Sequence, residues 1–183
     1  MSDILESDQL RRGPWRWLVW GGAAGLLLLP LVAMQFTAEV NWDGFDFLVM
    51  GGMLLTVCVV YEIAARLARS NAYMVAAAIA IGGAFLTVWA NGAVGIIGSE
   101  DNPANEIFYW VLAVEFAGAL LALLRARAMA WVMVATAVAQ LGACVYAWAA
   151  GLGHVWVFTG VMCALWLASA RLFHQAARLQ AKA

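Results

Sequence analysis

The side chain with the most chemistry to offer is Glu115, in the middle of the apolar run VLAVEFAGAL. In hydrocarbon an acid costs about 2.5–3.5 kcal/mol on insertion scales, so it should face other helices rather than lipid. Two roles suit it there. A relay would pass a proton or a cation. A clamp would hydrogen-bond a polar residue of the next helix, and Gln140 fits. Counted outward from the RAR joint at 125–127, the two stand at similar depth, and a neutral carboxyl could donate to the amide. Asn91, in WANGAVG, adds an amide near the end of its own run, placed to bond across helices or to mark an unwound stretch. Glu62 and Arg66 are four apart with the acid first, the favourable order for a local ion pair on a helix.

A second concentration of polar residues, GSEDNPAN at 98–105, separates two apolar runs. Asn102 before Pro103 has the form of a helix start, since the amide oxygen can accept an orphan backbone N–H and proline suits the first helical position. Asp101 and Glu106 then lie near the positive end of that helix. The joint before the second run is built alike, from Asn41, Asp43 and Asp46. Caps and solvated anchors therefore explain most of these acids. The sharper reading gathers Asp43, Asp46, Glu100 and Asp101 around calcium or magnesium on one membrane face, because such ions take oxygen ligands. No EF-hand spacing accompanies it, and no other cofactor is expected.

Other chemistries are disfavoured. A retinal Schiff base needs a lysine inside a span, and the one lysine is Lys182. A bis-histidine haem needs two histidines at one depth, whereas His154 and His174 are separated by about 30 Å of helical rise. Cys58, Cys144 and Cys163 all lie in apolar runs without a CxxC pair, so neither a disulfide framework nor a zinc site is expected. No HExxH or phosphate-cradling glycine loop is present. Thr56, Thr87 and Thr136 can bond to carbonyls of their own helices. The basic residues are spread as topology signals, which argues against nucleic-acid binding.

The elements that must hold Glu115 follow from composition. Of 183 residues, 66% are hydrophobic and 11% charged. A soluble domain carries about a quarter charged residues, so lipid must cover part of this apolar surface. Six runs are long enough to cross: Trp15–Phe36, Asp46–Ala65, Ala72–Ile97, Pro103–Leu124, Ala128–Ala150 and Val155–Phe173. Each must be a helix, since lipid offers nothing to loose backbone groups. The expected fold is all-α, a polytopic membrane bundle of six transmembrane helices at 15–173, with tails at 1–14 and 174–183. All ten basic residues then fall on one side: Arg11, Arg12, Arg16, Arg66, Arg69, Arg125, Arg127, Arg171, Arg178 and Lys182. Glu39, Asp43, Asp46, Glu100, Asp101 and Glu106 fall on the other. The positive-inside rule puts both tails in the cytoplasm. The start, RRGPWRWLVWGGAAGLLLLP, resembles a signal peptide, but its apolar run continues through Phe36 without a small-x-small cleavage site, so it reads as a retained span.

Small residues are expected to set the packing: the GxxxG of Gly21 and Gly25, and Gly51, Gly52, Gly82, Gly83, Gly118 and Gly142. Pro30 should kink the first span near Leu26. Six tryptophans lie near span ends, where an indole can be half wet. Trp20, Trp89, Trp148 and Trp166 lie deeper and should pack between helices. GAFLTVWANG (83–92) also matches GACVYAWAAG (142–151) at five of ten positions, as if spans two and three repeated in four and five. Chance likeness is the rival in so alanine-rich a chain.

The string AVGIIGSEDNPAN followed by Tyr109, with NWDGFDF upstream, resembles a family of small, uncharacterised multi-pass inner-membrane proteins of bacteria. The likeness covers roughly residues 40 to 110. It implies a bacterial inner membrane and carries no activity or site residues. The leading functional expectation is a non-enzymatic accessory or assembly partner of a membrane complex. Lipids surround it, and a protein partner or second copy meets its small-residue faces. The alternative is a small-solute, proton or cation carrier or channel built on Glu115, Gln140 and Asn91. A membrane enzyme working at the acidic joints comes third.

Overall fold

A computed structural model of the chain describes residues 15–182. The amino-terminal tail at 1–14, with Arg11 and Arg12, lies outside the described residues. Among those described, six helices are long and apolar enough to cross a membrane, the build of a multi-pass membrane protein. They are α1 (Trp15–Ala33), α2 (Gly44–Leu67), α3 (Asn71–Ala93), α4 (Glu106–Leu121), α5 (Ala126–Ala149) and α6 (Trp156–Gln180), with a 3₁₀ turn at Pro103–Asn105 leading into α4. Two boundaries differ from the expected spans by more than three residues. The third helix stops at Ala93 rather than Ile97, because Gly95 turns left-handed (φ +73°). The sixth runs on to Gln180, so most of the segment expected as a tail is helical. Its buried row Ser169, Phe173, Ala176 continues past the predicted end and keeps it folded.

The chain divides into two compact units, Met1–Arg66 and Leu67–Ala183. In the first, α1 and α2 run antiparallel. Arg16 Nε donates to Glu62 Oε2 at 2.9 Å, and a Cβ placed on Gly51 would meet Leu27 at 3.8 Å. The start of α2 is a reciprocal cap. Asp43 Oδ1 accepts from the N–H of Phe45 (2.7 Å) and of Asp46 (3.0 Å), while Asp46 Oδ2 accepts from the N–H of Asp43 (2.9 Å). Trp42 packs edge-on against Phe47 at 5.3 Å, stapling the entry of the chain. Helix α1 runs through Pro30 without interruption, and the N–H of Met34 still reaches the Pro30 carbonyl at 2.9 Å.

In the second unit α6 packs on α3 and α5, and α5 packs on α4. Helices α3 and α6 are antiparallel. Tyr73 meets Phe173 edge-on at 5.1 Å, Ser169 Oγ donates to the Ala76 carbonyl at 2.9 Å, and the Trp166 ring lies over Gly83. Tyr73 OH donates to the Leu124 carbonyl at 2.7 Å, pinning the start of α3 to the α4–α5 turn. That turn holds Leu123 and Leu124 left-handed (φ 48° and 56°). These contacts bring one end of each helix together, so Arg69, Arg125, Arg127, Arg171, Arg178 and Lys182 gather at one end of the unit. Glu100, Asp101 and Glu106 occupy the other. In the first unit Arg16 and Arg66 are likewise separated from Glu39, Asp43 and Asp46.

The packing corrects several expectations. Of the eight glycines expected to set the packing, only two are close-approach points. A Cβ at Gly83 would sit 2.6 Å from the Trp166 ring, and one at Gly118 would sit 2.7 Å from Val132. Gly51 leaves an ordinary contact, while Gly21, Gly25, Gly52, Gly82 and Gly142 have nothing within 4 Å among the described residues. Trp166 is fully buried, but Trp20, Trp89 and Trp148 point outward. The buried face of α5 is formed instead by residues that include Met129, Met133, Ala137, Ala143 and Ala147. The proposed repeat gains no support from its surroundings: Gly83 lies under an indole and Gly142 faces open space.

Candidate functional site

The polar elbow after α3 is organised by a residue the motif reading passed over. Asn105 is buried, and its Oδ1 accepts from the backbone N–H of Ile96 (3.0 Å) and Ile97 (2.7 Å). Its Nδ2 donates to the Ser99 carbonyl at 2.7 Å. Asn91 Nδ2 donates to the Asn105 carbonyl at 2.9 Å, tying the last turn of α3 to the elbow. Asn102 caps as expected, accepting from the N–H of Ala104 at 3.0 Å. Gly95 must be glycine, since a Cβ there would overlap the Ser99 carbonyl group. The elbow thus turns its amides inward and leaves Glu100, Asp101 and Glu106 exposed. Asn105 was findable: with Phe108, Val111 and Glu115 it continues the single buried row of α4.

The described contacts set a common depth scale in this unit. Cys163 Sγ lies 3.6 Å from the Ala137 carbonyl, which levels Gln140 with Thr159. Phe108 meets Phe158 at 5.7 Å, and Gly118 abuts Val132, which places Glu115 beside Thr136 and about 8 Å of helical rise below Gln140. Asn91 lies nearest the elbow. Polar groups therefore descend inside the unit from Asn105 and Asn91, past Thr159 and Gln140, to Glu115.

Many of these groups lack partners. Gln140 is 0% exposed, and neither its Oε1 nor its Nε2 makes a hydrogen bond among the described residues. The same holds for Glu115 Oε2, Asn91 Oδ1, Thr159 Oγ1 and Trp166 Nε1. The expected clamp between Glu115 and Gln140 is thus not made. Their difference in depth keeps the two side chains from pairing. Toward the basic end the pattern reverses: the hydroxyls of Ser169 and Tyr73 are spent on backbone carbonyls. Thr87 and Thr136 bond to the carbonyls of Gly83 and Val132 on their own helices, as anticipated.

The remaining candidates lie elsewhere. Glu62 takes Arg16 as its closer partner (2.9 Å) and Arg66 as its more distant one (3.6 Å). Only the second was legible as a local pair. Asp43 and Asp46 spend side-chain oxygens on capping α2. Among the described residues no group of three or more His, Cys, Asp or Glu side chains is assembled to hold a metal ion. His154 and His174 are both exposed, in the α5–α6 joint and on the far part of α6. Cys58, Cys144 and Cys163 are free thiols. No protein-family model, curated protein or solved structure matches the chain.

Proposed function

We propose that this chain is a bacterial inner-membrane protein, both termini cytoplasmic, whose four-helix unit passes protons or a small cation by way of Glu115. The observation that carries this reading is the set of unpartnered buried atoms found at successive depths between the elbow and Glu115. Each such group, left dry, costs about 1–3 kcal/mol. Water threading the line would restore those bonds and bring the carboxyl into exchange with the acidic side. Ionisable groups inside spans commonly mark such paths. The bonded hydroxyls toward the basic end argue that this conformation opens to the elbow side alone, so flux requires a second conformation open to the basic end. The test is flux in reconstituted vesicles with an internal pH dye: Glu115→Gln should abolish it while the protein stays folded. Flux equal to wild type in that variant removes the reading.

A second reading, an accessory subunit, draws on α1. Pro30 is the only buried position among its described side chains, and its GxxxG faces nothing within 4 Å. Such a face suits a second copy or another membrane helix. Recovery of a stoichiometric membrane partner in mild detergent, lost in Gly21→Leu/Gly25→Leu, would favour it.

A further inference from the structure

The far end of α6 carries a feature that the polar seam does not use. Arg171, His174, Gln175, Arg178 and Lys182 are all exposed. At 3.6 residues per turn they fall within an arc of about 100°. The opposite face, with Ser169, Phe173 and Ala176, is buried in the unit. Lys182 stays in register because the chain keeps turning beyond Gln180: Ala181 N–H bonds to the Ala177 carbonyl (3.1 Å) and Lys182 N–H to that of Leu179 (3.2 Å). These side chains and Leu179 line an open groove of about 340 Å³. Among the described residues none of the three cations is ion-paired, since the pairs found involve Arg16, Arg66 and Glu62.

Topology signalling needs only net positive charge near a span end, and it does not require the charges to share one face. A 25-residue helix is about 38 Å long against about 30 Å of hydrocarbon, so the last two turns of α6 stand at headgroup level and Arg171, just below them, reaches up by snorkelling its guanidinium. Guanidinium groups one or two turns apart can fork a phosphate between them. Leu167, exposed on the same face one turn deeper than Arg171, offers an apolar edge to an acyl chain. We infer that this groove binds the phosphate headgroup of an anionic glycerophospholipid, with Arg171 and Arg178 as the principal ligands and His174, Gln175 and Lys182 around them. The shared chemistry is a phosphate; the open groove and the exposed Leu167 on its membrane side point to a lipid rather than a free ion.

The test is native mass spectrometry of the full chain released from micelles holding equal phosphatidylglycerol and phosphatidylcholine of matched acyl chains. Wild type should retain phosphatidylglycerol on the order of tenfold more, as two interfacial charges would give. Arg171→Gln/Arg178→Gln should lose that preference, and Arg125→Gln/Arg127→Gln, with the same charge removed from the same end, should keep it. Equal retention of both lipids by wild type would overturn the assignment, as would equal loss in the two variants. Inorganic phosphate displacing phosphatidylglycerol at millimolar concentration would overturn the lipid in favour of a free-anion site.

Discussion

Asn91 and Asn105 join the last turn of α3 to the start of α4: the side-chain amide of the first donates to the main-chain carbonyl of the second at 2.9 Å. The side chain of Asn105 meanwhile accepts from two consecutive backbone N–H groups. One residue therefore folds the elbow and anchors the top of the polar line that leads to Glu115.

Asn105→Ala should destabilise the protein by about 2–3 kcal/mol, because one buried and one part-buried N–H group lose their acceptor together. Asn102→Ala, which removes a single cap, should cost about 1 kcal/mol. Glu100→Gln and Asp101→Asn should leave stability unchanged. Reversible unfolding in mixed micelles measures all four, and an Asn105 variant as stable as the Asp101 variant would contradict this view of the elbow.

Gly83→Ala forces a methyl group into the Trp166 ring, and Gly118→Ala forces one into Val132. Each should cost about 1–3 kcal/mol, the usual penalty for overpacking. Gly21→Ala and Gly25→Ala meet open space and should not lower the melting temperature of the isolated chain. A fall in all four variants alike would mean that α1 is packed more closely than described.

Tyr73→Phe should cost about 0.6 kcal/mol, typical of a hydrogen bond between helices in a membrane. It also frees the Leu124 carbonyl, which holds a left-handed turn. Leu123→Gly should recover stability in that background, since glycine adopts positive φ without steric cost. Failure of the second substitution to compensate would separate the tyrosine from the turn.

The six helices were legible because span length and charge placement are written in the chain. A run of about 20 apolar residues has one stable form in lipid, and its flanking arginines are read locally. The GxxxG of α1 misled, because a small residue permits an approach without requiring one. Which face of a helix turns inward depends on neighbours far along the chain, and the outward indoles of Trp89 and Trp148 could not be assigned from depth alone. Glu115 and Gln140 were identified as buried polar residues; their failure to pair was hidden because helical rise counted from a joint ignores how far two helices slide past each other. The Arg16–Glu62 bond was missed for a similar reason, since its partners are 46 residues apart.

The polar line itself is tested most directly by thiol accessibility. In a background with Cys58, Cys144 and Cys163 replaced by alanine, Thr159→Cys should react with a small, charged, membrane-impermeant thiol reagent added from the elbow side. Ser169→Cys, beyond Glu115 on the bonded half, should stay unreactive. A wet line reaching Glu115 predicts that difference; a Thr159→Cys variant as inert as Ser169→Cys would mean the interior is dry and would contradict it.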